Sequence, residues 1–182
     1  MLKSMKIVVL LTTTVLATTV LFTGCSSTPA EPEKVDKSIE QPPAVEEVTQ
    51  EIFKVGDTVS IGDFEFTLNS VRFDKGSEYF KPDEGKVWLV IDGTLTNKSS
   101  ESAQVSSMLM FKLYDNEHYS KDMEFMVDTK GALDGELGAG RSMRGELAYS
   151  VSTTDEYWEL IFENDVFGKG QAIFKINPSD IK

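Results

Sequence analysis

From about residue 51 onward, apolar and polar residues of this chain alternate with a period of two. Phe64-Glu65-Phe66-Thr67-Leu68 opens the pattern. Lys86 to Asn97 extends it, with Val87, Leu89, Ile91 and Leu95 on one face and Trp88, Val90, Asp92, Thr94 and Thr96 on the other. Alternation of this kind places one face of a β-strand against a core. The same reading puts Leu109, Phe111 and Leu113 inward from Val105 to Leu113, and Met143, Leu147, Tyr149 and Val151 in step from Arg141 to Val151. Tyr157 to Phe162 alternates Trp158, Leu160 and Phe162, and Gln171 to Ile176 turns Ile173 or Phe174 inward. Val55-Gly56-Asp57, Ile61-Gly62-Asp63, Tyr114-Asp115-Asn116-Glu117 and Leu137-Gly138-Ala139-Gly140 supply turn residues between these runs. The pattern predicts an all-β, antiparallel sandwich of about seven to nine short strands. Tyr119 to Leu133, with Met123, Phe125, Met126 and Val127, fits either a strand or a short helix.

The first 50 residues follow a different logic. Lys3 and Lys6 precede an apolar run from Ile7 to Phe22, which is the layout of a secretory signal. The run is shorter than the roughly 20 apolar residues of a membrane span and carries Thr12, Thr13, Thr14, Thr18 and Thr19. Leu21-Phe22-Thr23-Gly24-Cys25 resembles the lipobox of bacterial lipoproteins, with Phe22 standing where Leu is usual. That resemblance implies a diacylglyceryl thioether on Cys25 and cleavage between Gly24 and Cys25. Cys25 is the only cysteine, so the domain has no internal disulfide and its core must suffice. Two acyl chains give stable anchoring where one gives only reversible binding. No other cofactor is expected. Ser26 to Gln50 then carries four prolines and six acids without an aromatic residue or glycine, a composition that predicts a disordered tether. Its reach exceeds the roughly 25–30 Å of a flexible coil of that length, because proline and like charge stiffen it. The expected organisation is a signal peptide over 1–24, a lipidated linker over 25–50 and one folded domain over 51–182.

Charge narrows the choice of partners. The chain has a formal net charge of −12, and loss of residues 1–24 removes Lys3 and Lys6 but no acid, leaving −14. Such a surface repels phosphate backbones and anionic headgroups, which disfavours nucleic acid and leaves the lipid as the membrane tether.

Few residues suggest chemistry. His118 is the only histidine, so familiar zinc sets and Ser/His/Asp catalysis are poorly supplied, and it reads as a hairpin-tip residue. Asp134 with Glu136, and Glu163 with Asp165, are carboxylates two apart beside turn residues, and read as solvated loop charge. Asp128 to Asp134 lacks the ligand spacing and terminal Glu of an EF-hand loop. No catalytic or metal residue is assigned. The most suggestive stretch runs from Arg72 to Lys86, a long connection between core strands that mixes basic and aromatic residues. Arg72, Phe73, Lys75, Tyr79, Phe80 and Lys81 are the candidate partner-binding residues. The alternative reading is that Phe73 and Phe80 pin this loop to the core.

Val55-Gly56-Asp57-Thr58-Val59, followed by Phe64 to Arg72, resembles the opening of a domain-of-unknown-function family common in Gram-positive lipoproteins. Glu84-Gly85-Lys86, Leu95-Thr96-Asn97-Lys98-Ser99, Phe111-Lys112-Leu113-Tyr114-Asp115 and Leu137 to Tyr149 continue the resemblance over nearly all of residues 52–177. Two departures are Asn116-Glu117-His118, where the family tends to have glycine, and Ser152-Thr153, where proline is frequent. The resemblance implies a telokin-like immunoglobulin sandwich, related to secreted immunoprotective antigens, and carries no settled activity. It also implies a Gram-positive cell, and hence the outer face of the plasma membrane. The expected function is non-enzymatic binding or scaffolding of an envelope protein or wall component. A carboxylate-dependent hydrolase of wall polysaccharide and a calcium- or solute-binding module are the alternatives.

Overall fold

The computed structural model describes residues 51–164 and 170–182. The signal, Gly24, Cys25, the tether and Asp165 therefore lie outside the described residues. Among the described residues eleven strands run in the order β1 Ile52–Lys54, β2 Thr58–Ile61, β3 Phe64–Asp74, β4 Lys86–Asn97, β5 Ala103–Val105, β6 Phe111–Asp115, β7 Ser120–Lys121, β8 Gly135–Leu137, β9 Ser142–Ser152, β10 Trp158–Glu163 and β11 Gln171–Ile176. One helical turn, α1 Ser107–Met110, precedes β6, and a 3-10 turn at Pro178–Asp180 follows β11.

Two sheets face each other across the core. One has the order β2-β3-β4-β9 and the other β1-β11-β10-β6-β7, while β5 and β8 pair as a small separate ribbon. The all-β sandwich expected from the alternation is present. Seven strands have four or more residues, and the surplus over the expected count consists of the short β1, β5, β7 and β8. One pairing departs from the antiparallel rule, because β1 lies parallel to β11 with Phe53 opposite Phe174.

The predicted faces hold where alternation is strict. Val87, Leu89, Ile91 and Leu95 enter the main core with Leu147, Tyr149 and Val151 from β9 and Trp158, Leu160 and Phe162 from β10. On β11 it is Phe174, with Ala172 and Ile176, that turns inward. Phe66 joins the sheets, its ring centroid 4.9 Å from Phe111, 5.1 Å from Phe162 and 5.6 Å from Phe174. Beside it the β4 backbone has no room for a side chain, since a Cβ on Gly93 would lie 2.5 Å from the Phe66 ring.

The middle of one expected strand is a helical turn. From Ser107 to Met110 the chain makes a single turn, so Leu109 points to solvent at 53% exposure, and only Phe111 and Leu113 of the expected trio are buried. The turn places the Ser107 N–H and hydroxyl 2.9 and 2.7 Å from the two Asp134 carboxylate oxygens, a local bond that competes with strand pairing.

Tyr119 to Leu133 is neither of the expected alternatives over most of its length. After β7 it touches β9 through a single bridge, Met123 with Tyr149, and the Glu124 N–H donates to the Ala148 carbonyl at 2.8 Å. It thereby covers part of the free β9 edge, which would otherwise be open to another strand. Val127 packs on the outer side of the sheet with Trp88, Val90 and Ala148, while Leu133 enters the main core. Gly145 makes this close approach feasible, because a Cβ there would sit 2.5 Å from the Ala132 backbone.

Candidate partner-binding face

A β-bulge decides how the β3–β4 connection presents itself. The register of β3 on β4 shifts between Leu68 and Ser70, so Asn69 is the extra residue. Before it, the even-numbered Phe64, Phe66 and Leu68 face the core; after it, the odd-numbered Val71 does. Without the bulge Arg72 would face the core. With it, Arg72 lies opposite Val90 on the outer face.

Two of the six expected loop residues are thus strand residues. Arg72 donates to Glu146 at 2.9 Å and to Asp74 at 3.2 Å. Phe73 meets Trp158 edge-on at 5.9 Å. Phe80 returns from the loop to stack on Trp88 at 4.8 Å. Phe80 pins the loop, to the outer-face cluster around Trp88 rather than to the main core. Phe73 is instead a strand residue that stays 37% exposed, and Arg72 ties strands together.

What remains for a partner is Lys75, Tyr79 and Lys81. Tyr79 is 92% exposed, and both lysines are exposed without an ion pair among the described residues. The loop beneath them is held by its own backbone. Ser77 N–H donates to the Phe80 carbonyl at 2.7 Å, Phe80 N–H to the Ser77 hydroxyl at 3.2 Å, and Gly76 N–H to Asp74 at 2.8 Å. An exposed aromatic on a restrained loop loses little entropy when it binds. Phe80 and Trp88 also line a cleft of about 220 Å³ with Asp74, Asp128 and Met126, whose side chain is 74% exposed. A mixed aromatic, thioether and acidic surface therefore continues onto the 119–133 segment.

The outer face holds a second cluster that the linear pattern did not disclose. Asp92 and Glu146 are register partners on β4 and β9 and line a cleft of about 450 Å³ with Lys130, Gly131 and Arg144. Arg144 binds Asp92 through Nε at 2.9 Å and Nη2 at 2.5 Å, and the Asn69 amide reaches Asp92 at 3.1 Å and Thr94 at 2.9 Å. The Arg144 hydrogen bond, helped by Asn69, holds the Asp92 carboxyl below the usual range against its burial. A general acid needs the opposite shift. Arg72 and the Lys130 N–H occupy Glu146 in turn.

The other carboxylates are engaged or apart. Glu163 pairs with Lys112 at 2.7 Å. Asp134 holds Ser107, and Glu136 is exposed on β8. Among the described residues no group of three or more His, Cys, Asp or Glu is placed to hold a metal. His118 sits in the β6–β7 hairpin with φ of 66°, a left-handed conformation at the position where the family resemblance leads one to expect glycine.

Asp115 organises that hairpin. It is 4% exposed and accepts from the Glu117 N–H at 3.0 Å, the Tyr119 N–H at 2.9 Å and the Lys121 ammonium. Burial pushes its carboxyl up, but Lys121 and the two N–H groups outweigh it and leave it below the usual range. Its folded pKa is thus below its unfolded value of about 3.9, so its stabilisation is present above that pH and lost as pH falls through the folded value. Asp115→Ala should cost about 2–4 kcal/mol at pH 7 by stranding these donors. In urea titrations the gap from wild type should narrow from pH 5 towards pH 2. A gap that stays constant over that range contradicts the assignment.

The chain belongs to the family described as Domain of unknown function (DUF4352), whose pattern matches residues 53–173. Solved structures similar to it include the putative lipoprotein ycdA of Bacillus subtilis, at 20% identity and a TM-score of 0.55. That match covers 68% of this chain and 39% of ycdA, so the chain spans well under half of that relative. The yjhA protein of the same organism is 21% identical with a TM-score of 0.54, over 69% of this chain and all of yjhA. The secreted protein MPT63 of Mycobacterium tuberculosis is 10% identical with a TM-score of 0.52, over 72% of this chain and 99% of MPT63. At these identities the likeness is one of fold. No curated protein matches the chain.

Proposed function

We propose that this protein is a lipoprotein held by Cys25 on the outer face of the plasma membrane, where its immunoglobulin-like sandwich binds an envelope protein or wall component without catalysis. The observation that carries the binding reading is the Lys75–Lys81 loop. Tyr79 stands 92% exposed on a segment whose neighbour Phe80 is stacked on Trp88. Tyrosine at a fixed position supplies contact area at low entropic cost, and the exposed Lys75, Glu78 and Lys81 around it suit a polar partner. Similarity to a putative lipoprotein and to a secreted protein supports an envelope location. The hydrolase alternative is weakened by the depressed carboxyl of Asp92 in the cleft where two carboxylates face each other.

The test is chemical crosslinking on intact cells, comparing wild type with a Lys75→Ala/Tyr79→Ala/Lys81→Ala variant. All three side chains are exposed, so the variant should keep its melting temperature within about 2 °C. The expected outcome is one dominant crosslinked species that the variant loses by tenfold or more. An unchanged crosslinking pattern sinks the assignment of this face.

A further inference from the structure

The cleft of about 220 Å³ beside the Lys75–Lys81 loop joins two kinds of lining. One is aromatic and polarisable. Half-buried Phe80 stacks at 4.8 Å on Trp88, which is itself almost wholly buried, and the exposed thioether of Met126 lies on the same cleft. The other is acidic, with Asp74 at the end of β3 and Asp128 on the 119–133 segment. Gly76 and Ser77 complete the lining, so among the described residues no cationic side chain belongs to it.

The two carboxylates differ in what they already hold. Asp74 accepts from the Gly76 N–H at 2.8 Å and from Arg72 at 3.2 Å, and Arg72 is shared with Glu146 at 2.9 Å. One guanidinium thus serves two carboxylates. Asp128 is exposed and has no ion pair among the described residues. The cleft therefore keeps negative charge beside an aromatic ring and a thioether. A calcium ion takes about six to eight oxygen ligands, and no group of three or more metal-ligating side chains is found among the described residues. A primary ammonium brings three N–H donors, whereas Asp74 already accepts twice. A quaternary ammonium has no donor to satisfy, and aromatic surface beside carboxylates attracts it. A cavity of about 150 Å³ holds benzene, so this cleft has room for a trimethylammonium head on a short stem.

We infer that this cleft binds a quaternary ammonium group, with its charge facing Asp128 and Asp74 and its methyl groups against Phe80 and Met126. The inference deepens the reading of the Lys75–Lys81 loop, and rests on it only in holding that a partner at the loop carries this group. The group reaches the cleft either free or on a phosphate ester, and the probes separate the two.

The test titrates the full-length chain with choline, phosphocholine and 3,3-dimethyl-1-butanol, the uncharged isostere of choline, at constant ionic strength. Binding is read from the methionine methyl signals by NMR. The Met126 methyl should shift, while that of Met108, which lines a different cleft, should not. One charged probe should bind about three- to thirtyfold more tightly than the isostere, the range of an exposed cation–π contact with an exposed ion pair. Tighter binding of phosphocholine assigns the ester as the source, and tighter binding of choline the free ion. Asp128→Asn should weaken the preferred probe about two- to fivefold and Asp128→Lys further, with isostere binding and melting temperature unchanged. The inference is overturned if the isostere binds as tightly as both charged probes, if Met126 does not respond, or if Asp128→Lys binds like wild type. Probe binding without crosslinking at the loop leaves the cleft standing and removes the partner reading. Crosslinking without probe binding does the reverse.

Discussion

Phe66→Ala should lower unfolding free energy by about 3–5 kcal/mol, the range for truncating a fully buried aromatic. Phe66 has no exposed surface and touches three phenylalanines of the opposite sheet. Its removal leaves a cavity between the layers, and the rigid strands on either side cannot collapse into it fully. Domains of this size are stable by only about 5–15 kcal/mol, so the loss takes a large share of the total. No disulfide can compensate, since Cys25 is the sole cysteine. Equilibrium urea unfolding should show a lower midpoint at unchanged slope. A cost below about 1 kcal/mol would mean that Phe66 does not join the two sheets.

Cys25→Ser should move the protein from the membrane fraction to the medium. In the proposed account the membrane is reached through the acyl chains, because a mature chain of net charge −14 is repelled by anionic headgroups. Two chains of ordinary length contribute about 0.8 kcal/mol per buried methylene, enough that the wild type should be almost wholly retained. Fractionation with immunodetection reads the distribution, and the intact mass of the wild type should include the diacylglyceryl group. If Cys25→Ser stays with the membrane as fully as wild type, the lipid is not the anchor.

The parts of the fold legible in the sequence were those set by local alternation. β4 follows the predicted Lys86 to Asn97 run from end to end, and β9 and β10 differ by a residue or so at their ends. The rest depended on interactions between distant residues. Asn69 gives no local sign that it will be extra, yet it reverses the phase of β3 and turns Arg72 outward. The pairs Asp92–Arg144 and Arg72–Glu146 join residues 52 and 74 positions apart, and exist only once strand register is set. Leu109 matched a strand pattern, but the Ser107–Asp134 bonds draw Ser107–Met110 into a helical turn. In the candidate site, aromatic and basic composition singled out the exposed Tyr79, Lys75 and Lys81 together with Phe73 and Phe80. It could not separate the first three from Phe80, which stacks on Trp88, or from Phe73, a strand residue that meets Trp158 edge-on.

In the proposed function the anchored sandwich works by binding through the Lys75–Lys81 loop. Its most direct test is a photo-crosslinking amino acid placed at position 79, with a control at Lys54, in the protein displayed on living cells. A single saturable adduct should form at position 79 and not at the control, with the attachment mapped by mass spectrometry. Equal, diffuse labelling from both positions would contradict it.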